Sequence, residues 1–334
     1  MKDKILIYGA AGYMGRLFTQ HTVLHKLPII LGGRSTFKTD MEYRIFSLDH
    51  PVNVCDNLHD ILVVVNLAGP FANTNKTLVE ACISTKTHYI DISGEVTEMK
   101  AVFEFHERAV KAGIMLMPGA GFGVVPTDIV ANLAKNKMPT ANQLKIAYST
   151  EGSVSRGTLK TVLKDINKEG VVLKDGKFAK KMPAATVFSF KVLGKNKVVV
   201  YNPWRADLFT AQLSTGIQNI ETYSNFPGII VKMMQGKMLW IRDFILKRLI
   251  KALPDGPSMK QLQKGKTFCF AEIKNENGEK TSVTLIGPEA YLFTALTLIE
   301  ISKRILQNDL KIGFQTPNIY GFDLIKNIEN VKLL

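Results

Sequence analysis

Cysteine is scarce: Cys55, Cys82 and Cys269 stand far apart in a chain of 334 residues. Three isolated thiols build no disulfide framework, no CxxC pair is present to hold zinc, and this usage points to a reducing compartment. No apolar run approaches the roughly 20 residues that a membrane span needs. Met1 leads almost at once into a strand-like stretch, so the expectation is a cytoplasmic protein without a secretory leader, peripheral to a membrane if it meets one at all. The six histidines contain no HExxH motif, and no catalytic metal is expected. No tyrosine is followed by lysine four positions later, which excludes the tyrosine–lysine proton relay of short-chain dehydrogenases. An uninterrupted basic tract is missing too. The 43 Lys and Arg against 29 Asp and Glu leave a net charge of +14, an excess that favours acidic partners such as a phosphorylated cofactor or an anionic membrane. The lysines are dispersed and not interleaved with aromatics on strands, so nucleic acid is not expected.

What is present begins at Lys4. Ile5, Leu6, Ile7 and Tyr8 make the short apolar run of a buried parallel strand. Gly9, Gly12 and Gly15 follow at equal spacing, and residues from Arg16 onward can continue as a helix. In such a strand–turn–helix unit Gly9 permits the turn, Gly12 admits a pyrophosphate to the backbone and Gly15 lets helix and strand pack closely. The amides around Ala11, Gly12, Tyr13, Met14 and Gly15 would hold phosphate oxygens at the positive end of the helix. A second strand over 27–31 runs into Gly32-Gly33-Arg34-Ser35. An acidic residue there would accept from the ribose 2′-hydroxyl of NAD. Arg34 and Ser35 instead suit a 2′-phosphate, so NADP (NADPH) is the cofactor expected.

Strand-like runs over 43–48, 61–67, 88–92 and 114–117 alternate with helical stretches over 74–84 and 97–111. That alternation predicts an α/β fold whose first domain, residues 1–127, is a doubly wound parallel sheet. Ala68, Gly69 and Pro70 close the most β-branched run, ILVVVNL, and small residues at that end of a parallel strand leave room for a cofactor. Gly94, in the turn after 88–92, is placed in the same way. Strands are then expected over 143–150, 185–192, 197–202, 266–273 and 281–286, the last two joined by an Asn-Glu-Asn-Gly turn, with a long helix over 289–307. These give a second α+β domain, 128–311, on a largely antiparallel sheet.

Two carboxylates lie where a proton donor is wanted. Glu95 follows the expected nicotinamide end, and Asp128 sits near the start of a helix; the competing role of each, stronger for Asp128, is that of a helix N-terminal carboxylate. The stretch 229–253 interleaves Met233, Met234, Met238, Trp240, Phe244 and Leu249 with Lys232, Lys237, Arg242, Lys247, Arg248 and Lys251. Such a pattern suits a helix resting on an anionic membrane, the lip of a pocket for a greasy substrate, or an amphipathic helix packed on the protein or on a second subunit of a homodimer.

In order along the chain, YGAAGYMG, GGRS, VVNLAGPF, HYIDISGE, PGAGFGVVPTD and GFQTPNIYGFDL resemble the saccharopine dehydrogenase-like oxidoreductases, in particular the group with trans-acting enoyl reductases and animal saccharopine dehydrogenase-like proteins. The resemblance implies a Rossmann domain, an inserted α+β domain and a C-terminal segment, 312–334, that returns to the first domain. It also implies NADP-dependent reduction, with Gly9, Gly12, Gly15, Arg34, Ala68, Gly69 and Gly94 at cofactor-facing positions. Where the group often reads GFDSVPSD, this chain has Gly123 and Val124 in place of the acid and the serine. Arg156 and Arg205 are the clearest second-domain candidates for a dicarboxylate. The expected activity is hydride transfer to a C=C, C=N or C=O bond of a small or lipophilic molecule; the alternative is an NADP-binding scaffold or redox sensor without turnover.

Overall fold

A computed structural model describes residues 2–164, 166–245, 248 and 250–334. Lys247 and Leu249 of the basic–aromatic stretch lie outside the described residues. The chain divides into two compact units, one made of 1–125 and 291–325, the other of 126–290 and 326–334.

In the first unit β1 (Lys4–Tyr8), β2 (Ile29–Gly33), β3 (Tyr43–Ile45), β4 (Ile61–Asn66), β5 (His88–Asp91) and β6 (Met115–Met117) are joined by helices. These are α1 (Tyr13–Leu24), α2 (Pro51–Asp56), α3 (Asn75–Thr85), α4 (Val96–Phe103) and α5 (His106–Ala112). A short strand, Gly313–Phe314, completes a seven-stranded sheet in which β3, β2, β1, β4, β5 and β6 succeed one another, with Gly313–Phe314 outermost beside β6. Every pairing in it is parallel. Both faces are covered: Ile5, Leu6, Ile7, Val63, Val64, Val65, Met115, Leu116 and Met117 are all fully buried. Consecutive burial explains why these strands read as unbroken apolar runs. The order reverses between β1 and β4, and ligands of open α/β sheets bind at that switch point, beyond the carboxyl ends of the strands. The helix expected over 97–111 is divided into α4 and α5 at Glu104-Phe105. His88 and His106 are structural: the Nδ1 of each accepts a backbone N–H, from Met115 at 3.0 Å and from Phe314 at 3.1 Å.

The second unit opens with helix α6 (Val125–Lys137), whose first residue still belongs to the first unit. Its strands are β7 (Gln143–Glu151), β8 (Gly170–Lys174), β9 (Lys177–Lys181), β10 (Val187–Val192), β11 (Lys195–Tyr201), β12 (Asn219–Ser224), β13 (Lys266–Lys274) and β14 (Lys280–Pro288). With Lys332–Leu333 they form one nine-stranded sheet, antiparallel except where β12 runs parallel to β7. Phe190 and Phe270 stack at 4.8 Å within an aromatic cluster on it. Helices α7 (Arg156–Lys164), α8 (Asp207–Thr215), α9 (Gly228–Met234), α10 (Leu239–Phe244) and α11 (Met259–Lys264) complete the unit. Strands β8, β9 and β12 and helices α7 and α8 are not anticipated by the sequence reading; β9 carries three lysines in KFAKK, which leave no apolar alternation to see.

Two boundaries differ from expectation. The helix Ala290–Leu306, assigned by sequence to the second domain, belongs from Tyr291 onward to the first unit. Thr297 Oγ1 donates to Ala120 O at 3.0 Å, and Thr294 Oγ1 accepts from Phe122 N at 3.1 Å. The terminal segment 312–334 is shared, because residues from 326 onward leave the first unit and Lys332–Leu333 pairs with β14.

Candidate functional site

The site is assembled at the carboxyl ends of β1, β2, β4 and β5. Gly9 has φ +90°, a conformation open mainly to glycine, and a Cβ there would lie 2.7 Å from Ala68 N. A Cβ on Gly15 would stand 2.4 Å from Gly9 O, so α1 packs on the turn only because that side chain is missing. Gly12 is the N-cap of α1 and donates to Gly9 O at 3.0 Å. The helix has no side-chain cap and no acid in its first turn, and Ala11 and Gly12 are exposed. Its positive end therefore faces outward without an internal anion, the arrangement that receives a phosphate. Met14 is buried beneath the turn, and Tyr13 packs edge-on to Tyr291 at 5.4 Å.

Gly32 O accepts from Gly9 N at 2.9 Å and from Ala10 N at 3.2 Å, tying the end of β2 to the glycine turn. Arg34 follows two residues later and is exposed, as is Ser35. Tyr43 shapes this loop: its hydroxyl donates to Ser35 O at 2.9 Å and lies where a Cβ on Gly33 would be, 2.6 Å away. No carboxylate occurs from Gly32 to Thr39.

At the ends of β4 and β5 the apolar core gives way to a buried polar network that sequence reasoning missed. Asn66 Nδ2 donates to Thr74 Oγ1 and to Tyr89 Oη, each at 3.0 Å, and Asn66 Oδ1 accepts from Ala68 N at 3.0 Å. Tyr89 Oη donates to Asp91 Oδ2 at 2.8 Å. Asp91 Oδ1 accepts from Ser93 N and Ser93 Oγ at 2.8 and 2.6 Å and from Gly119 N at 3.1 Å. The chain Ala68–Asn66–Tyr89–Asp91–Ser93–Gly119 thus ties together the turns after three neighbouring strands, including Ala68-Gly69-Pro70 and Ser93-Gly94. Asp91 is fully buried; burial raises its pKa while the bonds from Ser93, Tyr89 and Gly119 oppose the rise. The available signal was Tyr89 and Asp91 two apart on one face of a strand, beside an Asn closing ILVVVN.

Of the two expected carboxylates, Glu95 is the N-cap residue of α4, without a side-chain capping bond. Asp128 lies in the first turn of α6, fully buried, with Ser214 Oγ donating to its Oδ1 at 2.5 Å. That bond ties α6 to α8 inside the second unit. A third carboxyl was overlooked. Glu98, three residues into α4, is 8% exposed and accepts from the backbone N–H groups of Gly94 and Glu95. Burial, then the charges of Glu95 and Asp91, push its pKa up to about 8. The two candidate arginines are occupied within the second unit. Arg205 is buried over the Tyr148 ring at 4.3 Å and donates from Nε to Asp207 Oδ2 at 2.6 Å. Arg156 pairs with Asp255 at 2.8 Å and donates to Leu253 O. Among the described residues no three His, Cys, Asp or Glu are grouped to hold a metal.

Residues 5–117 match the family model of the saccharopine dehydrogenase NADP binding domain. Residues 5–117 of the first unit are thus similar to the NADP-binding domain of saccharopine dehydrogenases. A bovine protein named saccharopine dehydrogenase-like oxidoreductase is 23% identical over 91% of this chain and 88% of its own length. A trans-acting enoyl reductase of Mycobacterium leprae is 29% identical over 37% of this chain and 34% of its own. In fold, the chain is similar to saccharopine dehydrogenase (L-Glu forming) of Saccharomyces cerevisiae, with a TM-score of 0.66 and 13% identity over 99% of both chains. The resemblance inferred from the ordered motifs is borne out, and NADP(H) is the cofactor of the NADP-binding domain. Its geometry fits that group. The backbone cradle at Gly9 and Gly15 has no room for side chains, and Arg34 stands at the end of the neighbouring strand with no carboxylate beside it in sequence.

Proposed function

We propose that the chain is an NADPH-dependent reductase that transfers hydride to a C=C, C=N or C=O bond of a small or lipophilic substrate. The observation that carries this reading is the pairing of the Gly9–Gly15 cradle with an exposed Arg34 at the end of β2. NADPH, when bound, supplies the hydride. The protein supplies position, together with a proton or a partner for the developing charge. In this reading the amides of Ala11, Gly12, Tyr13, Met14 and Gly15 hold the pyrophosphate, and Arg34 and Ser35 hold the 2′-phosphate. Ala68, Gly69, Pro70 and Gly94 border the nicotinamide, and the Asn66–Tyr89–Asp91 network keeps those turns in register.

Glu95 is proposed to orient substrate or deliver the proton. Glu98 strengthens that assignment, since its carboxyl holds a proton at neutral pH one helical turn away. Asp128 is the weaker candidate for the same role, its Oδ1 being engaged by Ser214. The name of the mycobacterial relative makes an enoyl compound the first substrate to try. The test is NADPH oxidation with enoyl thioesters, cyclic imines and quinones. Turnover with one class establishes the reductase and its acceptor.

One observation favours a second reading, an NADP-binding scaffold or redox sensor. In the GFGVVPTD turn Val124 is fully buried against Gly119, so an apolar side chain stands where the resembling group has a serine. Tight NADPH binding without turnover on any acceptor class would select it.

A further inference from the structure

Helices α9 and α10 satisfy their own packing and still leave large apolar side chains outside. Ile230, Met233 and Met234 are buried in a cluster with Leu163, Ile166 and Val200, and Leu239, Ile241 and Ile245 pack against it. The opposite side is apolar as well. Trp240 is 71% exposed, Phe244 51% and Ile229 41%. Trp240 and Phe244 are four residues apart on α10, so their rings project from one face. Scattered single apolar residues on a surface need no explanation; a tryptophan and a phenylalanine together on one short helix do.

The electrostatic setting selects the occupant. From Asn225 to Pro254 the sequence has six Lys and Arg and a single acid, Asp243. Asp243 pairs with Arg242 at 2.8 Å, and the next acid, Asp255, pairs with Arg156. Lys232, Lys237, Arg248 and Lys251 are exposed. Long basic side chains around a projecting Trp and Phe suit a bilayer surface: the rings enter the boundary between headgroups and acyl chains while the ammonium and guanidinium groups stay at the level of anionic headgroups. A second copy of the chain fits poorly. A two-fold contact would set this cationic surface against itself, and a stable dimer needs about 800 Å² from each partner.

We propose that α9 and α10 dock the protein on anionic membranes, with Trp240 and Phe244 as the inserted groups and Lys232 and Lys237 as the electrostatic ones. No helix among the described residues is long and apolar enough to cross a membrane, so the contact is peripheral. The inference does not depend on the reductase reading, and its test uses no turnover.

The experiment is co-flotation of the full chain with vesicles of phosphatidylcholine alone or with about one third phosphatidylserine, at low and high salt, beside sedimentation of the protein by itself. Expected is binding to the anionic vesicles only, weakened at least tenfold at high salt. Trp240→Ser/Phe244→Ser should lower it about tenfold or more at unchanged melting temperature. Lys232→Glu/Lys237→Glu should abolish the preference for anionic lipid. Quenching of tryptophan emission by brominated lipid should persist in Trp204→Phe and vanish in Trp240→Phe. Absence of vesicle binding overturns the proposal, as does binding indifferent to the Trp240 and Phe244 changes. A dimer that the double serine variant converts to monomer, without vesicle binding, assigns the face to a second copy and also overturns it.

Discussion

At the residue scale, two side chains make the assignment testable. Arg34 is exposed and follows directly on β2. A guanidinium meeting a phosphate contributes about 1.5–3 kcal/mol, roughly 10- to 150-fold in affinity. Calorimetric titration of Arg34→Ala should therefore show NADPH binding weakened by about that factor and NADH binding nearly unchanged; equal losses would remove the 2′-phosphate assignment. Glu98 carries the pH dependence. Its pKa rises from an ordinary 4.5 to about 8 on folding. Between those values the native state holds a proton that the unfolded chain has lost. Stability therefore falls as pH climbs from about 4.5 to about 8 and levels off above, by an amount on the order of a few kcal/mol. Glu98→Gln, which cannot ionise, should lose this slope: its melting temperature should gain on wild type between pH 6 and pH 9. If Glu98 also serves the reaction, the high-pH limb of kcat should disappear with it.

At the element scale, three glycines of the site, Gly9 after β1, Gly15 inside α1 and Gly94 after β5, do different work. Gly9 and Gly15 are demanded by the fold, since a Cβ on either would meet backbone atoms within 2.8 Å. Gly94 is different: a Cβ there meets nothing within 4 Å. Gly15→Ala should push α1 off the turn and lower melting temperature and NADPH affinity together. Gly94→Ala should leave folding stability within about 0.5 kcal/mol of wild type, since the added methyl meets open space, while NADPH binding falls. Thermal melts beside fluorescence titrations separate the two, and unchanged binding in Gly94→Ala would move the nicotinamide away from this turn. The network through Asn66, Tyr89 and Asp91 explains how loops after separate strands share one geometry: each turn is bonded to a buried side chain, not merely to the next residue.

At the scale of the whole molecule, the chain forms two units with separate cores, and the cofactor cradle lies within one of them. Calorimetry should show NADPH raising the transition of the first unit, by about 2.7 kcal/mol at a hundredfold excess over Kd, with the second unit's transition responding less. A uniform shift of a single transition would mean that the units unfold together. The crossing of the chain between units, near 125, near 290 and again near 325, places a helix read as part of the second domain in the first. Its threonines bond to the backbone after β6, a pairing across more than 170 residues that no local pattern announces.

The amino-acid order by itself determined the parallel sheet and the glycine turn and pointed to NADP, because each rests on neighbours in sequence: consecutive apolar residues, glycines at threefold spacing, an arginine in place of an acid. It also exposed the basic–aromatic stretch, but not which of its apolar residues face outward. Tertiary structure alone decided that Met233 and Met234 are core while Trp240 and Phe244 are surface. It alone decided that Arg205 serves Asp207, and that Glu98 is buried close to Gly94 with its pKa raised. Burial, and the fields of distant charges brought near, set those properties, and both are sums over neighbours that only the folded chain assembles.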